Sequence, residues 1–210
     1  MITIYYILTG CQQNIDLVFV LDESGSIGDD NFQSIKSFAY NFTSNLLSDK
    51  TANRVGVITF SSTARVYIAL NNTIKVNTLL ENIINLPYNG GSTNTASALE
   101  LMRQQEWRNE TSVFRLAIVL TDGESNNKDA TLNATMEVHD HEPPIVVYAI
   151  GVGASIDQDE LLEIASGVDL LTNLGSFDEN VLDSIRDGYT YQLCFTGMQQ
   201  IYLGLDDWDG

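Results

Sequence analysis

The sequence predicts an α/β fold: a doubly wound, mostly parallel sheet with one antiparallel edge strand and helices on both faces. Three observations carry this expectation. Apolar runs of strand length alternate with amphipathic segments of helical period, the pattern of a parallel sheet covered on both sides. Residues 54–60 and 64–70 are two such runs joined only by Ser61-Ser62-Thr63, a link too short for a crossover and suited to an antiparallel hairpin. The runs 15–21 and 114–121 each lead into an aspartate, Asp22 and Asp122, next to a glycine-containing turn.

Taken in order, residues 15–21 read as a buried strand. Behind it, Asp29 or Asp30 is placed to cap a helix in which Phe32, Ile35, Phe38, Ala39, Phe42 and Leu46 recur at helical spacing. That aromatic stripe reads as core. The hairpin strands follow, then a helix over 76–86 that ends at Pro87, and another that begins near Thr95 after the Gly90-Gly91 loop. Residues 114–121 form the central strand, 129–138 a helix closed off by Pro143-Pro144, and 145–152 another buried strand. Asp157 with Glu160, and Ser176 with Glu179, have the spacing of capping boxes. The last helix runs through Val181, Leu182 and Ile185 and stops at Gly188. No internal repeat or low-complexity linker divides the chain. It reads as one domain over 15–194, with an N-terminal segment 1–14 and an acidic tail 195–210 that is loose or begins a following module.

The chemistry concentrates in three short pieces. Asp22-Glu23-Ser24-Gly25-Ser26 puts a carboxylate and two hydroxyls directly after the first strand, with Gly25 and Gly28 letting the backbone turn. Gly90-Gly91-Ser92-Thr93-Asn94-Thr95 adds hydroxyls on a flexible loop, and Leu120-Thr121-Asp122-Gly123 ends the central strand in a carboxylate. Open parallel sheets bind ligands beyond the carboxyl ends of strands where the strand order reverses, so Asp22 and Asp122 are expected to meet across that crevice. Hard oxygens gathered in this way suit Mg²⁺, which takes near-octahedral oxygen ligands and keeps several waters. Neutral hydroxyls leave the ion's charge only partly cancelled, so that it seeks a further carboxylate. Asp and Ser singly are common turn formers and caps, but three pieces converging on one sheet edge exceed that role.

These motifs, in this order and spacing, resemble a von Willebrand factor type A domain over residues 15–191, nearly the whole chain. The resemblance implies a Rossmann-like, six-stranded sheet and a metal-ion-dependent adhesion site formed by Asp22, Ser24, Ser26, Thr93 and Asp122. Thr93 is preferred to Thr95, because the first threonine of the pair is usually the ligand in that family. It also implies Mg²⁺, with Mn²⁺ or Ca²⁺ as alternatives, and one coordination position open to a Glu or Asp of an extracellular protein ligand such as collagen or another matrix protein. A structural module that self-associates or cross-links fibres, with the metal serving stability, is the competing class.

A formal net charge of −18 over 210 residues argues against nucleic acid or anionic lipid as partner, since both select clustered Lys and Arg. Enzymatic readings find little support. No Gly-x-Ser-x-Gly elbow frames Ser24 or Ser26, and His139 and His141 lie in a polar segment where exposure is expected. Ser24 stands where a haloacid-dehalogenase-like phosphotransferase would carry a second aspartate beside the nucleophile Asp22. Neither a phosphate-cradling loop nor a dinucleotide fingerprint is present. The chain is expected to be non-enzymatic.

Cys11 and Cys194, the only cysteines, flank the expected domain. A bridge between them would tie the termini together, as in several secreted A domains, and is worth about 5 kcal/mol in the chain-entropy model; two unrelated thiols are the alternative. N-glycosylation sequons at Asn41, Asn71, Asn109 and Asn133 agree with secretion. Leu8-Thr9-Gly10-Cys11 only loosely matches a lipoprotein cleavage box, and the start reads instead as a truncated signal or the edge of a longer protein. No apolar run approaches the roughly 20 residues that span a bilayer, so this piece itself is expected to be soluble; the setting that the resemblance implies is secreted or extracellular.

Overall fold

The computed structural model describes residues 14–47, 52–122, 124–153 and 156–176. Among them, five α-helices and six strands alternate: β1 (Asn14–Asp22), α1 (Gly28–Leu46), β2 (Arg54–Phe60), β3 (Ala64–Ile68), α2 (Val76–Ile84), α3 (Thr95–Arg103), β4 (Val113–Thr121), α4 (Lys128–His139), β5 (Val146–Val152), α5 (Gln158–Ile164) and β6 (Leu171–Leu174). The strands form one sheet in the order β3-β2-β1-β4-β5-β6. All neighbours are parallel except the β2–β3 hairpin. The order reverses between β1 and β4, and this is the switch point at which Asp22 and Asp122 were expected to meet.

Strands β1 and β4 are buried along nearly their whole length, which is why they read as mainly apolar runs, with Asp16 and Arg115 the charged exceptions near their amino ends. On one face, α1 lays its aromatic stripe on β1: Phe19 meets Phe38 and Phe42 edge-on, with centroids 6.2 and 5.7 Å apart. Edge-to-face pairs of this kind add about 0.5–1.5 kcal/mol beyond the area they bury. Helix α2 packs on α1, whereas α3, α4 and α5 pack in series on the other face. The amino end of β1 is anchored by Asp16, fully buried, whose carboxylate accepts hydrogen bonds from the side chains of Arg54 and Arg108 and from the Arg108 backbone N–H.

Two local expectations are corrected, and one strand is added. Neither Asp29 nor Asp30 caps α1; the N-cap is Ile27, without a side-chain cap, and both aspartates sit in the first turn. The helix starts earlier, at Gly28, whose φ of +74° glycine takes without strain, and both carboxylates lie in the first turn, where the helix dipole favours negative charge. Strand β3 stops at Ile68, two residues short of the apolar run. Strand β6 is an element that periodicity did not locate, because its four residues include Thr172 and Asn173 and only Leu174 is buried. The expected Ser176–Glu179 capping box and the helix through Val181, Leu182 and Ile185 lie outside the described residues, as do Cys11 and Cys194.

Candidate metal centre

The carboxyl end of β1 delivers Asp22 into the crevice, where it is fully buried. Its Oδ1 accepts a hydrogen bond from the Ser24 N–H at 2.7 Å, and its Oδ2 accepts one from the Thr121 hydroxyl at the end of β4. The hydroxyls of Ser24 and Ser26 lie 3.1 Å apart, and Ser26 Oγ donates to Asp122 Oδ1 at 2.9 Å. One run of hydrogen bonds, its first link made by the Ser24 backbone N–H, thus goes from β1 through the turn to β4. Four of the five expected residues are joined directly by it.

Thr93 is tied to the neighbouring loop through its backbone. Its N–H donates to Asn126 Oδ1 at 3.2 Å and its carbonyl accepts from the Asn126 N–H at 2.8 Å, which ties it to the loop that follows Asp122. The Gly25 N–H donates to the Gly91 carbonyl at 2.8 Å, and the Tyr88 hydroxyl to the Ser24 carbonyl at 3.1 Å. Close approach explains both glycines. A Cβ on Gly25 would sit 3.2 Å from the Gly91 oxygen, and one on Gly91, where φ is +113°, would sit 2.6 Å from Ser62 Oγ. Thr95, the fallback ligand, is 1% exposed in the first turn of α3, behind the Asn94 cap.

Burial pushes the Asp22 carboxyl up to about 6; the hydrogen bonds from Thr121 and Ser24 oppose the rise, and the Asp122 charge adds to it. Asp122 is likewise raised, chiefly by burial, against its bond from Ser26. A fully buried and a half-buried carboxylate that repel each other among hydroxyl oxygens form a site that favours an added positive charge. Among the described residues no group of three or more His, Cys, Asp or Glu is placed to hold an ion, so a cation here depends on hydroxyl ligands. That donor set fits a hard divalent ion such as Mg²⁺ and not a soft one.

Several residues that support the site were not foreseen. Glu23 is fully buried and accepts from Thr59 Oγ1 and Asn89 Nδ2. Asp157 caps α5 as expected, but Glu160 does not complete the box. Its carboxylate instead accepts the Ser125 N–H, at 3.1 and 3.2 Å, and so steadies the loop after Asp122. A reciprocal box satisfies a helix end in solvent; here a half-buried Glu160 satisfies a buried loop amide. The histidines are placed elsewhere: His139 Nε2 is 3.4 Å from the Ile164 carbonyl and His141 Nδ1 2.7 Å from that of Pro143. His139 is exposed as expected, His141 only partly. Of the sequon asparagines, Asn71, Asn109 and Asn133 are exposed, whereas Asn41 is half-buried on α1 beside buried Phe42 and Thr43.

Fold and cluster together define a doubly wound domain with a hydroxyl-rich, acidic crevice at its switch point. The chain belongs to the von Willebrand factor type A domain family, whose model matches residues 16–187. It is similar to the collagen alpha-1(XXI) chain of Xenopus laevis, 34% identical over 152 residues, which cover 72% of this chain and 16% of the relative. It is also similar to matrilin-2 of Mus musculus, 31% identical over 159 residues, covering 72% of this chain and 16% of that protein. The chain therefore spans about a sixth of the length of these relatives. Among solved structures, proximal thread matrix protein 1 of the mussel byssus superposes with a TM-score of 0.75 at 25% identity, over 88% of this chain and 47% of that one. The same mussel protein solved with a zinc-occupied MIDAS motif gives a TM-score of 0.74 at 24% identity, over 86% of this chain and 47% of that one. The collagen and matrilin relatives are extracellular matrix proteins, and this chain shares that extracellular setting. No helix among the described residues is long and apolar enough to cross a membrane.

Proposed function

We propose that Asp22, Ser24, Ser26, Thr93 and Asp122 form a metal-ion-dependent adhesion site through which the domain binds an extracellular protein ligand, collagen or another matrix protein. The observation that carries this reading is the hydrogen-bonded run Ser24–Ser26–Asp122, which brings hydroxyls of the first turn onto the carboxylate of the central strand. A bound Mg²⁺ supplies an electrophilic centre for a ligand's Glu or Asp, and Mn²⁺ or Ca²⁺ are alternatives. The residues of this chain orient the oxygens: Thr121 and the Ser24 N–H fix the Asp22 carboxylate, and Asn126 and Gly25 hold the Thr93 loop. The mussel protein solved with zinc in its MIDAS motif supports a divalent ion at such a site, and the collagen and matrilin relatives support a matrix partner.

The domain acts by binding and not by catalysis. Both histidine side chains are engaged with backbone carbonyls away from Ser24 and Ser26, which leaves these hydroxyls without an imidazole base. The Cys11–Cys194 bridge and glycans at the four sequons belong to the same extracellular reading; non-reducing peptide mapping and glycosidase treatment of secreted material check them. The competing reading, a module that self-associates or links fibres, draws on the mussel thread matrix protein among the fold's neighbours. Pull-down on matrix proteins with and without EDTA, repeated with Asp22→Ala, separates the two. Loss of capture with EDTA and with the variant supports the adhesion site, and capture unaltered by both leaves the structural module.

A further inference from the structure

The residue between two of the proposed ligands points the other way. In extended chain successive side chains alternate, so with Asp22 and Ser24 facing the crevice, Glu23 turns toward β2. Its N–H continues the sheet pairing by donating to the Phe60 carbonyl at 2.8 Å. Its carboxylate, fully buried, accepts Thr59 Oγ1 at 3.1 Å, and both of its oxygens accept Asn89 Nδ2, at 3.1 and 2.9 Å. Among the described residues, the cation paired with it is the half-exposed Arg65 guanidinium, at 3.7 Å. A carboxylate this deep would be a costly way merely to fill space.

The Asn89 end of that bond belongs to the loop that carries Thr93. This loop is stitched to its surroundings at each step: Lys36 Nζ donates to the Leu86 carbonyl, the Tyr88 hydroxyl to Ser24, Gly25 to Gly91, the Ser92 N–H to Ser62 Oγ, and the Asn94 N–H to the Ser61 carbonyl. Among these contacts, the Glu23–Asn89 pair is the one that joins a charged side chain of the first ligand turn directly to the loop. We propose that Glu23 is a positioning residue of the cation site, a buried latch that sets the distance between the Asp22–Ser26 turn and Thr93. The proposal rests on the metal-site reading above, and it assigns Glu23 no contact with the ion. Groups that orient metal ligands from behind are worth about 10–100-fold in metal affinity.

Glu23→Gln keeps the side chain's size but turns an amide donor toward the Asn89 amide. The double variant Glu23→Gln with Asn89→Asp reverses the polarity of the bond and restores it. Two readouts on the full chain test the latch: Mn²⁺ affinity by calorimetry, and hydrogen exchange of the Gly25 and Asn94 amides in metal-free protein. For Glu23→Gln the expected results are an affinity loss of about 10–100-fold and faster exchange at those two amides, with exchange along β1 and β4 unchanged. The double variant returns both readouts to near the wild-type values. If Glu23→Gln fails to fold, Asn89→Ala removes the same bond from the exposed side of the loop and is read in the same way. Unchanged affinity with either single variant, or no recovery in the folded double variant, overturns the proposal. Wild-type protein that takes up no Mn²⁺ overturns the metal-site reading itself, and Glu23's role toward an ion with it, while faster exchange in the variant would still mark Glu23 as a purely structural clasp.

Discussion

The Thr121 hydroxyl donates a hydrogen bond to the Asp22 carboxylate across 99 residues of sequence, joining the carboxyl ends of the two central strands, which pair in register up to Leu21 and Leu120. Asp122 follows Thr121 directly, so this bond sets the spacing of the two carboxylates. Thr121→Val keeps the shape of the side chain and removes the donor. Asp22 then loses a bond that favours its charged form, and Mg²⁺ uptake at pH 7 is expected to fall about 10–100-fold. Calorimetry with Mg²⁺ checks the loss, and an unchanged circular dichroism spectrum checks that the fold remains.

The raised Asp22 carboxyl makes the metal-free protein sensitive to pH in a definite direction. Its folded value of about 6 lies above the ordinary 3.8, so between these values the native state holds the proton more tightly than the unfolded chain does. Stability is therefore greatest below about pH 4, as far as this group is concerned, falls as pH rises toward 6, and then levels off. The total is on the order of 2–3 kcal/mol. Asp22→Asn should flatten this part of the urea-denaturation profile, and saturating Mg²⁺ should stabilise the wild type at pH 7 but not the variant.

Asp16 carries the opposite sign. Burial pushes its carboxyl up, but the hydrogen bonds from Arg54 and Arg108 outweigh burial and hold it below the ordinary range. Its contribution is present above the unfolded value and is lost as pH falls through the lower folded one. Asp16→Asn leaves two part-buried guanidinium groups without their shared anion. A cost of about 2–4 kcal/mol is expected, below the cost at a fully buried pair, because both arginines keep some solvent. Equilibrium urea denaturation at pH 7 measures it, and the acid limb of the variant's stability profile should be shallower.

Gly91→Ala tests the close approach in the Thr93 loop. The added Cβ would need the φ of +113° that side chains avoid, and it would press within 2.6 Å of Ser62 Oγ. A destabilisation of about 1–3 kcal/mol is expected in thermal melts. Because relief requires the loop to move, Mn²⁺ affinity should fall as well. A variant with lowered stability and wild-type affinity would show that Thr93 is held independently of this turn.

Much of this protein can be read from the sequence because its central strands are buried on both faces. Residues 15–21 and 114–121 are apolar runs broken only by Asp16, Arg115 and the terminal Thr121, and each announces where it ends by an aspartate, so Asp22 and Asp122 stood out at the edge of the sheet. The three-residue link to β3 likewise left little but a hairpin. Short, half-exposed pieces lack such a signal, which is why β6 escaped notice. The partners of the site depend on the tertiary structure alone. Nothing local in Glu23, Asn89, Asn126 or Glu160 tells which buried amide or hydroxyl each will meet, because those neighbours come from strands and loops distant in sequence. Apolar periodicity is a property of one segment and survives in the sequence. Hydrogen-bond pairing between segments exists only once the sheet order has brought β2, β1 and β4 side by side.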